Sequence, residues 1–361
     1  MFDDTDSTEL ADPSAEALAK VEVSIDALRQ SALAGPVNAA VNGQVEAVNC
    51  KHTREQKPYI ELGLRDLTGK MMIRVWNDHP SFEFCSALAT HHFVRVEGEF
   101  VVNGAFGLEA RNWTIRELTE PERELVLNGS AERIRKQRQD YAVIEDRAAA
   151  IADPRLRELC RLFLEEFGER FRRAAGARSY HHARRGGLVE HVAQMLRAAD
   201  AICSVYPDLN ADLLAAGVVF HDSGKMWENN FPKDSLVMSH DSVGELVGHI
   251  AIGTELVNRL WLRLRQSGIL DKYKSVNPEP ELVRLHLLHL VAAHHGEKQF
   301  GSPIEPKTPE AWALHVIDNL DAKLDVMASA YSSGNRLTDD IVERVRPLPT
   351  NLIKPLPKFN G

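Results

Sequence analysis

The sequence predicts a multidomain chain, with an N-terminal all-β barrel followed by an all-α helical bundle. Three observations carry that expectation. Hydropathy alternates with period two from Val37 to about Leu118, then takes the 3.6-residue period of helices from about Tyr141 to Ala330. At 361 residues the chain exceeds one typical small domain. Its apolar content of 44% suffices for a buried core. The expected divisions are a flexible extension at 1–34, a β domain at 35–120, a helical connector at 121–145, the bundle at 146–335 and a proline-rich tail at 336–361.

The extension is rich in Asp, Glu, Ser and Ala, with one weakly amphipathic piece from Leu18 to Leu33 closed by Gly35-Pro36. Strands follow. Gln44 to Cys50 is the first, and Tyr59 to Asp66 and Met71 to Trp76 form a hairpin across Leu67-Thr68-Gly69-Lys70. Ser81 to Ala89 reads as a short helical link, and Phe93 to Phe100 pairs with Gly107 to Ile115 around the Asn103-Gly104 turn. Five strands with a helical link between the third and fourth resemble an OB-fold barrel. Such barrels bind single-stranded nucleic acid by stacking bases on aromatic side chains. Trp76, Phe106, Trp113 and Tyr59, interleaved with Arg74, Arg95 and Arg111, are the candidate platform, although some must fill the barrel interior.

Glu120 to Asp140 is charge-dense, with Arg133, Arg135, Lys136 and Arg138 on one side of a solvated helix. Amphipathic helices are then expected over Arg155–Ala174 and around Leu188–Ile202, with further helices over Val243–Arg265 and Leu282–His294. A last helix opens at Thr308-Pro309-Glu310, where Thr suits the N-cap and Pro the first helical position. The proline-bearing tail from Val345 should be extended.

A net charge of −9 argues against bulk adhesion to duplex DNA but leaves room for a local basic groove. No run of about 18 apolar residues suggests a membrane helix, and the acidic Met1-Phe2-Asp3-Asp4 start is unlike a secretory signal. Cys50, Cys85, Cys160 and Cys203 are scattered without a CxxC pair, as expected of reduced thiols in a cytoplasmic protein.

The chemistry gathers around Gly217-Val-Val-Phe-His-Asp-Ser-Gly-Lys225. Here a helix with no polar face, Leu213 to Phe220, runs into the adjacent pair His221-Asp222. Burying an unpartnered imidazole beside a carboxylate costs several kcal/mol, and a divalent cation satisfies both. Gly224 is expected to end the helix, with Lys225 beside anything bound to the ion. Other candidate ligands share the pattern of a polar group on an apolar helical face or end: His191, His249, His294, His295 and Asp318. Imidazoles and carboxylates without thiolates favour Mn²⁺, Fe²⁺, Zn²⁺, Co²⁺ or Ni²⁺ over Ca²⁺. The ligand set exceeds what one tetrahedral ion needs, so two ions are expected, as in sites that clamp an in-line displacement at phosphorus.

The order His191, His221-Asp222, His249, His294-His295, Asp318 resembles the HD-domain metal-dependent phosphohydrolases. The flanks narrow the resemblance. His181-His182-Ala-Arg184-Arg185-Gly-Gly-Leu-Val-Glu-His191, Gly248-His249-Ile250, His294-His295-Gly296, Gly301-Ser302-Pro303 and Asp318-Asn-Leu-Asp321-Ala-Lys323 are similar to motifs of the YhaM-type 3′→5′ exoribonucleases. In that family an OB-fold precedes the HD domain. The resemblance implies His191, His221, Asp222 and Asp318 as ligands of one ion, and His249 with His294 or His295 as ligands of a second. It also implies Asp222 and Lys225 as catalytic, with Lys225 at the scissile phosphate or a metal-bound water, and Mn²⁺ as the first expectation, Mg²⁺ included among the alternatives. His181, His182, Arg184 and Arg185 are candidate substrate contacts, together with Trp76 and Arg74 of the barrel. Arg184-Arg185 departs from the aromatic-then-arginine pair common in the family, and Val189 from its usual leucine. The implied partner is single-stranded RNA in preference to DNA, with a homo-oligomer reasonable and no membrane. The alternative is an HD hydrolase of a small nucleotide or cyclic dinucleotide, with the barrel regulatory.

Overall fold

The computed structural model describes residues 21–103, 107–179 and 181–359. Residues 1–20 of the expected extension, Gly104 of the turn, Phe106 of the aromatic platform, and Asn360 and Gly361 of the tail lie outside the described residues. The chain divides into two compact units, one reaching Leu64 and resuming over Thr68–Leu118, the other made of Arg65–Leu67 and Thr119 onward.

The first unit contains α1 (Ile25–Ala32), β1 (Val37–His52), β2 (Pro58–Arg65), β3 (Lys70–Trp76), α2 (Phe82–Ala87), β4 (Phe93–Asn103) and β5 (Gly107–Glu117). The strands form one sheet in the order β3-β2-β1-β4-β5. β1 runs antiparallel to β4, from Val37 opposite Phe100 to Gln44 opposite Phe93. This register puts Ala39 and Val41 on the face that carries Val94, Val96 and Phe100, where Ile60, Leu62, Leu64, Ile73 and Val75 complete a core. The ladder is open between β3 and β5, whose residues line a common cleft. The result is the partly open five-stranded arrangement of an OB-fold.

The β4–β5 register slips at a bulge between Glu97 and Glu99, and the slip sorts the aromatic platform. Ile115 and Trp113 alternate inward, but after the bulge the phase changes: Ala110 and Leu108 pack on the core and Arg111 is exposed. Trp113 is therefore barrel interior, stacked on His79 at 4.1 Å, and not available to a base. Arg95 is likewise occupied, by Glu22, Glu97 and Asn42. Trp76 remains 47% exposed, with Tyr59 5.2 Å away between ring centroids.

Residues 21–34 were expected to be flexible, and the structure corrects this. Ser24 caps α1 by accepting from Ala27 N, and the i, i+3, i+7 stripe of Ile25, Leu28 and Ala32 is buried, with Ile25 and Leu28 in the β core. An isolated helix of eight residues is marginal; burying Ile25 and Leu28 contributes roughly 1.5–3 kcal/mol each.

The second unit is helical: α3 (Glu120–Asn128), α4 (Ala131–Ala149), α5 (Pro154–Arg173), α6 (Gly187–Val205), α7 (Ala211–Phe220), α8 (Lys225–Glu228), α9 (Ser242–Val247), α10 (His249–Gln266), α11 (Pro280–Ala293) and α12 (Pro309–Ser333). A short ribbon of β6 (Ile341–Val342) and β7 (Leu352–Ile353) follows. α7 is buried over Leu213–Phe220 and packs against α4, α5, α6, α11 and α12, which is why none of its faces is polar. α4 covers much of the expected connector, yet Tyr141, Ile144 and Ala148 place it in the bundle core, leaving only Arg135, Lys136 and Arg138 of the basic strip exposed. The tail folds back, with Val342, Leu348 and Leu352 against Val326 and Ala330 of α12. No described helix is long and apolar enough to cross a membrane.

Asp153 caps α5 and also pairs with Arg155, whose side chain is fully buried and donates to Pro278 O. Burial acts to raise the Asp153 carboxyl, but the bonds from Arg155 and Leu156 N outweigh it and hold the group below its ordinary 3.8. Asp153→Ala is expected to lower stability by about 3 kcal/mol, because a buried guanidinium loses its counter-ion. A group with a depressed folded-state value stabilises above the unfolded value and loses that contribution as the pH falls. The urea midpoints of wild type and variant should therefore differ at pH 7 and converge below 3.8; midpoints that coincide at pH 7 would refute the role.

Candidate metal centre

The apolar helices α7 and α11 end in the same device. His221 Nδ1 donates to Val218 O at 2.8 Å, and His294 Nδ1 donates to Val291 O at 2.7 Å, each three residues back. A carbonyl can only accept, so Nδ1 carries the proton and Nε2 presents its lone pair. Three other imidazoles are fixed in the same sense. His191 Nδ1 donates to Asp321 at 2.7 Å, His249 Nδ1 to Glu228 at 2.9 Å, and His295 Nδ1 to Phe300 O at 2.8 Å.

Four of these Nε2 atoms, of His191, His221, His249 and His294, converge on Asp222, which is 1% exposed. Its Oδ2 lies 3.3 Å from His221 Nε2 and 3.7 Å from His191 Nε2, while Oδ1 lies 3.6 Å from His249 Nε2 and 3.5 Å from His294 Nε2. Asp318 Oδ1 is 3.3 Å from His191 Nε2. Lys225, 6% exposed, places Nζ 2.6 Å from Asp222 Oδ2. Two groups of ligand atoms each lie within 4.8 Å of one another: His191, His221 and Asp222 on one side, and His249, His294 and His295 on the other. Within a third such group, Asp321 already accepts from both His182 and His191, so it acts as the support of a ligand.

The electrostatics ask for cations. Asp222 Oδ1, His249 Nε2 and His294 Nε2 are buried without a hydrogen-bond partner, a cost of about 1–3 kcal/mol each if nothing fills the gap, while Asp222 Oδ2 meets the Lys225 ammonium. His191 Nε2 and His221 Nε2 face each other at 3.2 Å, where two bare lone pairs repel. Burial opposes charging His191, but Asp318 and Asp321 outweigh it and raise its pKa to about 9. Burial also opposes ionisation of Asp222, Asp318 and Asp321, yet the neighbouring histidines, with Lys225 foremost at Asp222, hold all three well below the carboxylate range. His181 and His295 are lowered to about 4, by burial first and then by Lys225 and His294 respectively, so both stay neutral at physiological pH.

Two glycines bring the pieces together. Gly224 was expected as a helix stop, but its φ of −67° is right-handed, and α8 begins immediately after it. A Cβ at Gly224 would sit 2.0 Å from His249 O, so glycine is required there for close approach of the α10 backbone. At Gly248 a φ of 75° breaks the helix expected over Val243–Arg265 into α9 and α10, making His249 the first residue of α10.

All seven expected ligands, with Lys225, thus fall in one cluster. His181 flanks it, with its ring 5.8 Å from that of His191. The other expected substrate contacts of this unit are corrected. His182 bonds through Nε2 to Asp321 and through its backbone to Asp325. Arg184 is paired with Glu190 and Asp325, and Glu190 is lowered to about 2 by His182 and Arg184 against the effect of burial. Arg185 donates to the carbonyls of Pro232, Lys233 and Ser235, so it clamps a loop and has no fork left for a phosphate. Trp76 and Arg74 belong to the β unit, where both line the β3–β5 cleft. Glu228 escaped the sequence reading because it sits on no apolar stripe; its only signal is its place three residues after Lys225 on one short helical turn.

A family model for the HD domain matches residues 188–323. The 3′-5′ exoribonuclease YhaM of Geobacillus sp. (strain WCH70) is 31% identical over 291 residues, covering 81% of each chain. The chain belongs to the YhaM 3′-5′ exoribonuclease family. The Bacillus subtilis (strain 168) YhaM is 31% identical over 81% of this chain and 83% of its own, and that of Bacillus pumilus (strain SAFR-032) 32% over 76% and 81%. This YhaM-family chain is an HD-domain phosphohydrolase, and that class depends on divalent metal. The buried lone pairs around Asp222 fit such an ion in charge and in donor type.

Proposed function

We propose that the chain is a 3′→5′ exonuclease of single-stranded RNA that releases nucleoside 5′-monophosphates and uses two divalent ions, Mn²⁺ first among them. The observation that carries the reading is Asp222, whose two oxygens each face a separate pair of imidazole lone pairs. His191, His221 and Asp318 with Oδ2 would hold one ion, and His249, His294 and His295 with Oδ1 the other. When bound, the ions neutralise the phosphodiester and stabilise the charge that develops as it is displaced. Lys225 orients the terminal phosphate from beside Asp222. His181, neutral and half-buried, supplies a hydrogen bond to its oxygens, and His295 beside the outer ion helps keep bulk water away.

Trp76 and Arg74 hold the strand in the β unit, with Tyr59 supporting the indole. Trp76→Ala is expected to weaken binding of single-stranded RNA by about 1–3 kcal/mol, the worth of one stacked base, in a fluorescence titration; unchanged affinity removes Trp76 from the interface.

The function is tested by a time course on end-labelled RNA and DNA with Mn²⁺, Mg²⁺ or chelator. Stepwise shortening from the 3′ end, faster on RNA and abolished by chelator, is the expected result. Turnover of mononucleotides or cyclic dinucleotides with intact oligonucleotides would overturn it.

A further inference from the structure

The imidazoles of the metal centre are not held alike. His221, His294 and His295 donate to backbone carbonyls, which cannot leave, and His191 donates to Asp321, itself braced by His182. His249 alone in this set relies on one carboxylate from a four-residue helix, Glu228 of α8, whose side chain is 31% exposed. His249 is also the first residue of α10, with 13% of its side chain open to solvent, whereas His191, His221 and His294 are fully buried.

The two halves differ in charge as well. The His191–His221 half has Asp222 Oδ2 and Asp318, with Asp321 behind it. The His249–His294–His295 half shares only Asp222 Oδ1, so its ion is held by three neutral donors and one shared carboxylate oxygen. An ion with fewer anionic ligands, closer to water, is the weaker and more exchangeable of the two.

We infer that Glu228 is a positioning residue that decides whether the outer, His249 half of the centre is occupied, leaving the inner half unaffected. This rests on the two-ion reading above. With Glu228 accepting from Nδ1, His249 is locked as the tautomer that aims a lone pair at the ion. Without that acceptor the proton can move to Nε2 and the ring can turn to water. Loss of such a supporting carboxylate costs about 10–100-fold in metal affinity.

The test is calorimetric titration of metal-stripped full-length protein with Mn²⁺, joined to paramagnetic resonance of the loaded protein. Wild type should show two binding steps and the signature of a spin-coupled pair. Glu228→Ala should keep the first step within about 3-fold, weaken the second by about 10–100-fold, and show an isolated ion at the same Mn²⁺ concentration. Glu228→Gln, whose amide oxygen still accepts from Nδ1, should recover most of the second step, a rescue that a general packing defect would not show. Two unchanged steps in Glu228→Ala overturn the inference, and so does an equal loss in both. A wild type that binds one ion overturns the two-ion reading itself, a result distinguishable from either.

Discussion

Asp222→Ala is expected to reduce RNA hydrolysis by more than about 10³-fold, beyond what one electrostatic donor contributes to a transition state. The reason is geometric: Asp222 contacts His191 and His221 through one oxygen and His249 and His294 through the other, so its loss disables both halves. It also leaves the Lys225 ammonium buried without its counter-ion. Bound Mn²⁺ measured on purified protein should fall in parallel. Affinity for an oligonucleotide should be largely retained, because Trp76 and Arg74 lie in the other unit. Asp222→Asn preserves the volume and controls for unfolding. Metal-dependent activity within about 10-fold of wild type in the folded Asn variant would dismiss Asp222 as the shared ligand.

Lys225→Met should lower kcat by about 10²–10³-fold, the range for removal of a preorganised charge, while both ions stay bound. Methionine keeps the length and the apolar stem but not the charge, so packing beside Asp222 is preserved. An ammonium only 6% exposed is poorly hydrated, so although it is paired with Asp222, its pull on a phosphate oxygen arriving next to it is little screened by water. The alternative role is that of a counter-ion that keeps Asp222 ionised. Metal content separates the two: a rate loss at full occupancy supports phosphate contact, whereas proportional loss of metal and rate assigns Lys225 to the upkeep of the site.

Much of the metal centre was legible because its residues are misplaced by the rules of burial. His191 interrupts an apolar stripe, His221-Asp222 closes a helix with no polar face, and Asp318 lies among Val316, Ile317 and Leu320. Most strands were legible from alternation, although β1 begins at Val37 and not at the expected Gln44. The start of α12 was legible from Thr308-Pro309, where the Thr308 hydroxyl accepts from Ala311 N as expected. Other residues carried no such mark. Arg184 and Arg185 are adjacent and chemically identical, yet one meets two carboxylates and the other three carbonyls of a distant loop. Trp76 and Trp113 both sit on alternating strands, and a one-residue bulge in β4–β5 helps decide which side chains around Trp113 face inward.

By itself the sequence determined the order of strands and helices, the side chains with a chemical reason to be buried together, and the family. It could do so because period and polarity are properties of neighbours along the chain. Only the tertiary structure decided which partners meet: Asp321 behind His191 across 130 residues, Glu228 behind His249, and α1 as part of the β core. A hydrophobic stripe says that a helix face is covered, but not by what. The covering surface comes from residues far away in the chain, and their placement depends on the packing of every element at once.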